Sequence, residues 1–421
     1  MGEMKNSRTR WIGDIPSHWS TAKVKHFFYR SKEEAHQDNP TILSLARSGV
    51  KIRDLSKNEG QIAESYYNYN PVKPGDLLLN PMDLYSGANC SISKVSGVIS
   101  PAYMNLRNWG TANPVYYDYY FKTQYWSMAF FVHGEGVSFD NRWTLNAESL
   151  FNYPIPVPPL PEQQRIADFL DRKCADIDNI LEKTRSSIEE YKKLKLSVIT
   201  EAVTKGVRGP RPMKDSGIEW IGLYPEDWTL TKVKWLLNER NERSEDGSEE
   251  PLSMSQKYGL IPTKDMDTIP NMASSFVGAK ITHVGDLVFN KLKAHLGVFA
   301  VSKYEGLVSP DYAVYYKTAR ADMRYLEYLF KTPQYILEFR KRSSGVGAGL
   351  TRLYTGDLFA MYSASPNLEE QQEIAAYLDK KCAEIDSLIA SKEKFIAKLE
   401  SYKKSLIYEY VTGKKEVPSN A

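Results

Sequence analysis

The sequence predicts an α+β protein. Two repeated globular α/β domains are joined by two long antiparallel coiled-coil helices, with pseudo-twofold symmetry. Three observations carry this expectation. WIGDIPSHW at 11–19 recurs as WIGLYPEDW at 220–228, 209 residues later. PGDLLLN at 74–80 returns as VGDLVFN at 284–290, and ISPAY at 99–103 as VSPDY at 308–312. EQQRIADFLDRKCADID at 162–178 returns as EQQEIAAYLDKKCAEID at 370–386. The offset barely drifts, so two halves of the 421-residue chain share one frame.

Each half has the same order of elements. A Trp-Pro-Trp segment leads into short strands. The runs 76–79, 97–99 and 286–289 are apolar and bounded by Gly, Pro and Asn, as buried strands are. Amphipathic helices are expected over 116–130 and 321–339, the second from Tyr325, Tyr328, Leu329, Ile336 and Phe339 at mixed three- and four-residue steps. The first half then has PIPVPPLP at 154–161, an extended entry.

A long helix follows. From Glu162 to Lys205 there is no Pro or Gly. Ile166, Leu170, Ile177, Leu181 and Ile188 form a heptad-like seam, and Ile374, Leu378, Ile385, Ile389 and Ile396 repeat it. Gly206 and Gly413 are the expected stops. Such a helix extends on the order of 66 Å at ~1.5 Å per residue. One small core cannot absorb it, so its seam needs a partner, and its own repeat is the simplest. These boundaries divide the chain into 1–160, 161–207, 208–368 and 369–421. Asn367-Leu368-Glu369-Glu370 replaces the Pro-Leu-Pro-Glu run, so a looser joint is expected before the second helix.

Composition bounds the function. Lys plus Arg is 55 and Asp plus Glu is 52, a net charge of +3. That is no generic polyanion footprint, and nucleic-acid binding requires basic residues gathered on one face. No apolar run is long enough for a membrane helix, and the N-terminus lacks a signal-like apolar stretch, so a cytoplasmic protein is expected. Cys90, Cys174 and Cys382 make neither a disulfide framework nor a zinc cluster. The six histidines do not repeat at matched positions, and no phosphate-loop motif is present. Asn80-Pro81-Met82-Asp83 resembles the Asn-Pro-Pro-aromatic motif of amino-methyltransferases, but the last two residues differ and the second half has Asn290-Lys291-Leu292-Lys293 there. Gly345–Gly349 reads as a flexible turn. No catalytic or metal site is expected in this chain.

The halves diverge most over 44–70 and 253–277, each a polar-aromatic insert around a glycine. One frame with two inserts is suited to reading two different things. The DNA-contact candidates in the first half are Ser44, Arg47, Ser48, Lys51, Arg53, Lys57, Asn80, Tyr85 and Arg142. Those in the second are Ser253, Ser255, Gln256, Lys257, Tyr258, Lys264, Lys291, Lys293, Arg342 and Arg352. Arg and Lys pair with guanine edges, Gln with adenine and Ser with several bases. Lys57, Lys264, Lys280, Lys291, Lys293, Arg342 and Arg352 suit phosphates, which position the protein without specifying sequence. Tyr66, Tyr67 and Tyr69 could pack on sugars or bases.

On these residues the chain resembles the specificity subunits of Type I restriction–modification systems. The likeness rests on Trp11-Ile12-Gly13 with Pro16 and Trp19, and on Trp220-Ile221-Gly222 with Pro225 and Trp228. It rests also on Gly75-Asp76-Leu77, on Gly285-Asp286-Leu287, and on the run from Pro158 to Gln164 with Ile166 and Leu170. It covers essentially the whole chain. It implies a non-catalytic subunit whose two target-recognition domains, 1–160 and 208–368, each read half of a bipartite asymmetric site on double-stranded DNA. The helices would fix the spacer between half-sites. Two methyltransferase (modification) subunits and restriction/translocase subunits would assemble on it. S-adenosylmethionine, ATP and Mg would then belong to those partners, with no cofactor in this chain. A divergent DNA adenine methyltransferase and a tandem adaptor that binds no DNA are the alternative readings.

Overall fold

The computed structural model describes residues 3–418 except 47, 58–62, 83, 85–88, 137–142, 269–274 and 346–350; the side chain of Lys57 is also not described. The chain forms two compact units. The first comprises Met1–Thr184 and Lys394–Ala421, and the second Arg185–Glu393. Each long helix therefore contributes one half to each unit.

The first unit is built on a four-stranded antiparallel sheet in the order Phe28–Ser31, Met104–Asn108, Leu77–Leu79, Cys90–Ile92. Leu77, Leu78 and Leu79 are all fully buried, because this inner strand is covered on both faces. One face carries Leu77 and Leu79 into a core with Phe28, Tyr116, Tyr117, Tyr120, Phe121 and Phe130. The other carries Leu78 into a smaller cluster with Leu43, Val72 and Ile99. Many of the chain's 28 tyrosines are core residues here, with hydroxyls aimed at partners. Tyr117 OH donates to the Pro156 carbonyl (3.1 Å), Tyr153 OH to Gln124 Oε1 (2.8 Å) and Tyr119 OH to Asp171 Oδ1 (2.7 Å).

The second unit repeats this order with Leu237–Arg240, Tyr312–Lys317, Leu287–Asn290 and Phe299–Val301. Phe289, Phe299, Phe330 and Phe339 form its aromatic centre, with the Phe289 and Phe299 rings stacked at 4.2 Å. In both units the entry segment joins the strand that precedes the long helix. Ser20–Lys23 pairs with Pro154–Val157, and Thr229–Lys232 with Tyr362–Ser365.

Two helices are shorter than the sequence pattern indicates. The first spans Pro114–Trp126 and yields at Met128, whose φ is +61°, before a short turn of helix at Ala129–Val132. The second is split into Met323–Phe330 and Pro333–Arg342. Pro333 has no N–H to continue the first piece, and it suits the first turn of the next.

The long helices span Leu160–Lys205 and Leu368–Val411. Gly206 (φ +82°) and Gly413 (φ +71°) follow them in left-handed geometry. Within the first unit the helices run antiparallel: Phe169 meets Tyr410 (4.6 Å between rings) and Asp178 meets Lys403 (2.6 Å). The same holds in the second, where Lys195 meets Asp386 (2.7 Å) and Lys392 lies over Tyr191. Ile166, Leu170, Ile177, Leu181, Ile188, Ile374, Leu378 and Ile385 are buried, and Ile389 and Ile396 are half-buried. The joints before the helices are alike. Gln163 Nε2 donates to the Pro158 carbonyl and Gln371 Nε2 to the Pro366 carbonyl, both at 2.9 Å. Asn367 Oδ1 accepts the Glu370 N–H (3.0 Å), so a side-chain cap does at the second joint what the prolines do at the first. Among the described residues, no helix is long and apolar enough to cross a membrane.

Candidate nucleic-acid interface

Each unit projects a two-stranded hairpin from the small apolar cluster beside its central sheet. Leu43–Ala46 pairs with Gly49–Ile52, Ser44 opposite Lys51. Leu252–Ser255 pairs with Gly259–Pro262, Ser255 opposite Gly259. Gly49 and Gly259 have φ of +108° and +72°, a conformation that side-chain-bearing residues enter only with strain. Leu43 anchors the first hairpin. Leu252 and Leu260 anchor the second against Val288, Val308 and Val314. The anchors match and the tips do not. Ser48 is the described residue between the first pair of strands, and Gln256-Lys257-Tyr258 join the second pair.

In the first hairpin Ser48 and Lys51 are exposed, and Ser44 and Arg53 are half-buried. Arg47, Tyr85 and Arg142 lie outside the described residues. Tyr66 and Tyr69 pack edge to face at 5.1 Å, and Tyr67 lies beside His36 at 5.3 Å. In the second hairpin several polar groups already have partners. Ser253 and Thr263 share a hydroxyl hydrogen bond (2.8 Å). Ser255 Oγ accepts the N–H groups of Lys257 (3.2 Å) and Tyr258 (3.4 Å), which shapes the turn. Gln256 Nε2 donates to the Leu296 carbonyl (2.7 Å). Lys257 contacts the Tyr258 hydroxyl, which holds its ammonium above the usual lysine range, and both reach Asp267.

The other basic candidates divide into paired and unpaired groups. Lys264 pairs with Glu250 (3.0 Å), Arg342 with Glu338 (2.8 Å) and Arg352 with Asp311 (3.0 Å). Lys280 is buried and faces Glu239 at 3.5 Å, so it braces the interior and offers little to a phosphate. Lys293 is exposed and Lys291 half-buried. Asn80 Oδ1 accepts the Met82 N–H (3.0 Å), and Asn290 Oδ1 accepts the Leu292 N–H (3.2 Å). Both asparagines thus close the same turn at the same strand end. That use explains their recurrence without methyl-transfer chemistry.

The three cysteines Cys90, Cys174 and Cys382 are free and buried. Burial pushes Cys90 well above the usual thiol range, and it also raises Cys174 and Cys382. Sequence reasoning passed over Trp109 and Trp235, which are 60% and 55% exposed. The Trp109 N–H donates to the Phe27 carbonyl (2.9 Å), and the Thr318 N–H to that of Leu236 (3.0 Å). Trp109 and Thr318 therefore occupy one frame position, with Trp235 at the end of the 3-10 turn Val233–Trp235 that precedes the adjoining strand. A tryptophan without a repeat mate was the available signal. Arg340 and Lys341, exposed beside Arg342, were also missed.

Residues 112–190 match the family description "Type I restriction modification DNA specificity domain". The type I restriction enzyme MjaVIII specificity subunit of Methanocaldococcus jannaschii is 27% identical over 62% of this chain. A putative MjaX specificity subunit of the same organism is 27% identical over 65% of it. The matched segment spans 62% of each relative's length. Among solved structures, one described as the structural basis of complex assembly and conformational transition of the type I R-M system superposes with a TM-score of 0.71. It covers 95% of this chain and 99% of its own at 16% identity. The HsdS subunit of Thermoanaerobacter tengcongensis gives a TM-score of 0.53, covering 95% and 98% at 14% identity. At such identities the likeness speaks to fold.

Proposed function

We propose that this chain, which belongs to the specificity subunits of Type I restriction–modification systems, reads a bipartite asymmetric DNA site with one hairpin-bearing domain per half-site. The observation that carries this reading is the pairing of matched anchors with unmatched tips. Leu43 and Leu252 root their hairpins on the same frame, while the sequences that join the paired strands differ, Arg47-Ser48 in one half and Gln256-Lys257-Tyr258 in the other. A two-stranded ribbon fits a major groove about 12 Å wide, where each base pair shows a distinct donor and acceptor pattern. The long helices act as the spacer between half-sites. Their exposed faces dock two modification subunits, and restriction subunits complete the assembly. S-adenosylmethionine, ATP and Mg act on those partners, and this chain supplies no catalytic group. The complex works in the cytoplasm.

Methylation mapping tests this. The chain is co-expressed with its modification subunit in a bacterium lacking DNA methylation, and the genome is sequenced for N6-methyladenine. The expected result is a gapped, asymmetric motif that appears only when this chain is present. A soluble co-purifying complex that marks no motif would favour an adaptor without DNA readout.

A further inference from the structure

In the second unit two cations meet where the loop after Leu287–Asn290 touches the strand ending at Arg352. The Leu353 N–H donates to the Lys291 carbonyl (3.1 Å), which fixes the two backbones together. The Lys291 side chain has no hydrogen bond or ion pair among the described residues, and the residue is half-buried. Burial, then the facing charges of Lys280 and Arg352, make its proton easier to lose than an ordinary lysine's. Arg352 Nη2 reaches Asp311 (3.0 Å), and its Nε is buried with no partner among the described residues. The carboxylates near these cations, Asp311 and Glu239, also face Arg352 and Lys280 respectively. Three cations thus share two anions. A half-buried ammonium facing like charge is unfavourable unless an anion joins it.

The first unit has the same backbone tie without the charges. The Leu145 N–H donates to the Pro81 carbonyl (2.8 Å). Pro81 stands where Lys291 does, and Thr144 where Arg352 does. The pair is therefore no requirement of the frame.

From this juxtaposition we propose that Lys291 and Arg352 form a phosphate site for one backbone diester of the DNA, present in the second domain and absent from the first. The site deepens the DNA-reading function and rests on it. A phosphate oxygen would supply the missing counter-charge for Lys291, with the Arg352 guanidinium adding to the positive field behind it. A contact of this kind holds register and carries no sequence information.

The test uses the full chain and a duplex carrying the mapped motif, with affinity measured across a salt series. Lys291→Gln should weaken binding about tenfold, as loss of one charge-assisted contact does. It should also lower the slope of log K against log salt by about 0.9. The motif methylated in cells should be unchanged. Lys415→Gln, at an exposed lysine paired with Glu409, serves as the comparator and should change the slope far less. Arg352→Gln with Asp311→Asn, which removes the ion pair whole, should reproduce the Lys291→Gln slope. An unchanged slope in a folded Lys291→Gln protein would overturn the site while leaving DNA reading intact. A changed motif would overturn it too, by making Lys291 a base reader. Absence of DNA binding by the unaltered chain would sink the underlying function instead.

Discussion

The two units hold the same carboxylate with cations from different strands. In the first, Asp76 Oδ2 accepts the Lys73 N–H (3.0 Å), and Arg107 and Asn105 reach the carboxylate from the strand Met104–Asn108. In the second, Asp286 Oδ2 accepts the His283 N–H (2.9 Å), and Arg240 reaches both oxygens from the strand Leu237–Arg240. Arg107 occupies the frame position of Tyr316, and Arg240 that of Ser31. The backbone turn fixes where the acid must sit. Either the adjacent strand or the strand beyond it can deliver the guanidinium. The frame thus preserves a physical requirement, one paired carboxylate at a strand entrance, more strictly than it preserves residues.

Breaking the pair should have the largest effect. Asp76→Ala leaves Arg107, a largely buried guanidinium, without its main partner and should cost about 3 kcal/mol. Hydrogen exchange across Leu77–Leu79 should quicken accordingly. The comparison sharpens if the first unit is rebuilt like the second. Ser31→Arg with Asn105→Val and Arg107→Tyr should recover more stability than Asn105→Val with Arg107→Tyr alone. Equal stability of the two would show that strand origin matters.

A smaller contrast lies where each domain grips a helix end. Tyr116 OH donates to the Val411 carbonyl at 2.8 Å, and Tyr325 OH to that of Val203 at 3.3 Å. Tyr116→Phe should cost about 1.5 kcal/mol and Tyr325→Phe about 1 kcal/mol, measured by chemical unfolding. The helix ion pairs come next. Asp178–Lys403 and Lys195–Asp386 are repeat images with exposed carboxylates, so a double-mutant cycle on either should give about 0.5 kcal/mol or less. The smallest effect depends on pH. His283 is held above its ordinary value of 6.5, first by its hydrogen bond to Glu242. A raised folded value means the contribution is whole below about pH 6.5 and fades as pH rises through the folded value. The first unit has Lys73 at that place, so this contribution belongs to the second unit, and His283→Lys should remove it from a melt between pH 6 and 8, a few tenths of a kcal/mol at most.

Much of this was legible in sequence because repetition doubles every weak signal. The Trp-Pro-Trp entries, the Gly-Asp-Leu strand openings and the Glu-Gln-Gln helix starts each recur, and their common cause is a shared backbone. The seam from Ile166 to Ile188 was readable from its period alone. What was not legible is where polar side chains find partners across the fold. Gln256 looked available to a base, yet its amide reaches a carbonyl 40 residues away. Lys280 resembled Lys291 in sequence, yet one sits inside against Glu239 and the other makes no ion pair among the described residues. The Pro333 break was readable, but the helical period around it was strong enough to hide it.

The central claim is that frame and readout are separable, and one exchange tests it most directly. The hairpin over 43–53 is replaced by the hairpin over 252–262, and the methylated motif is mapped before and after. The account predicts that one half-site changes while the other half-site and the spacer stay as they were. A change in both halves, or a motif untouched by the exchange in a folded, active complex, would contradict it.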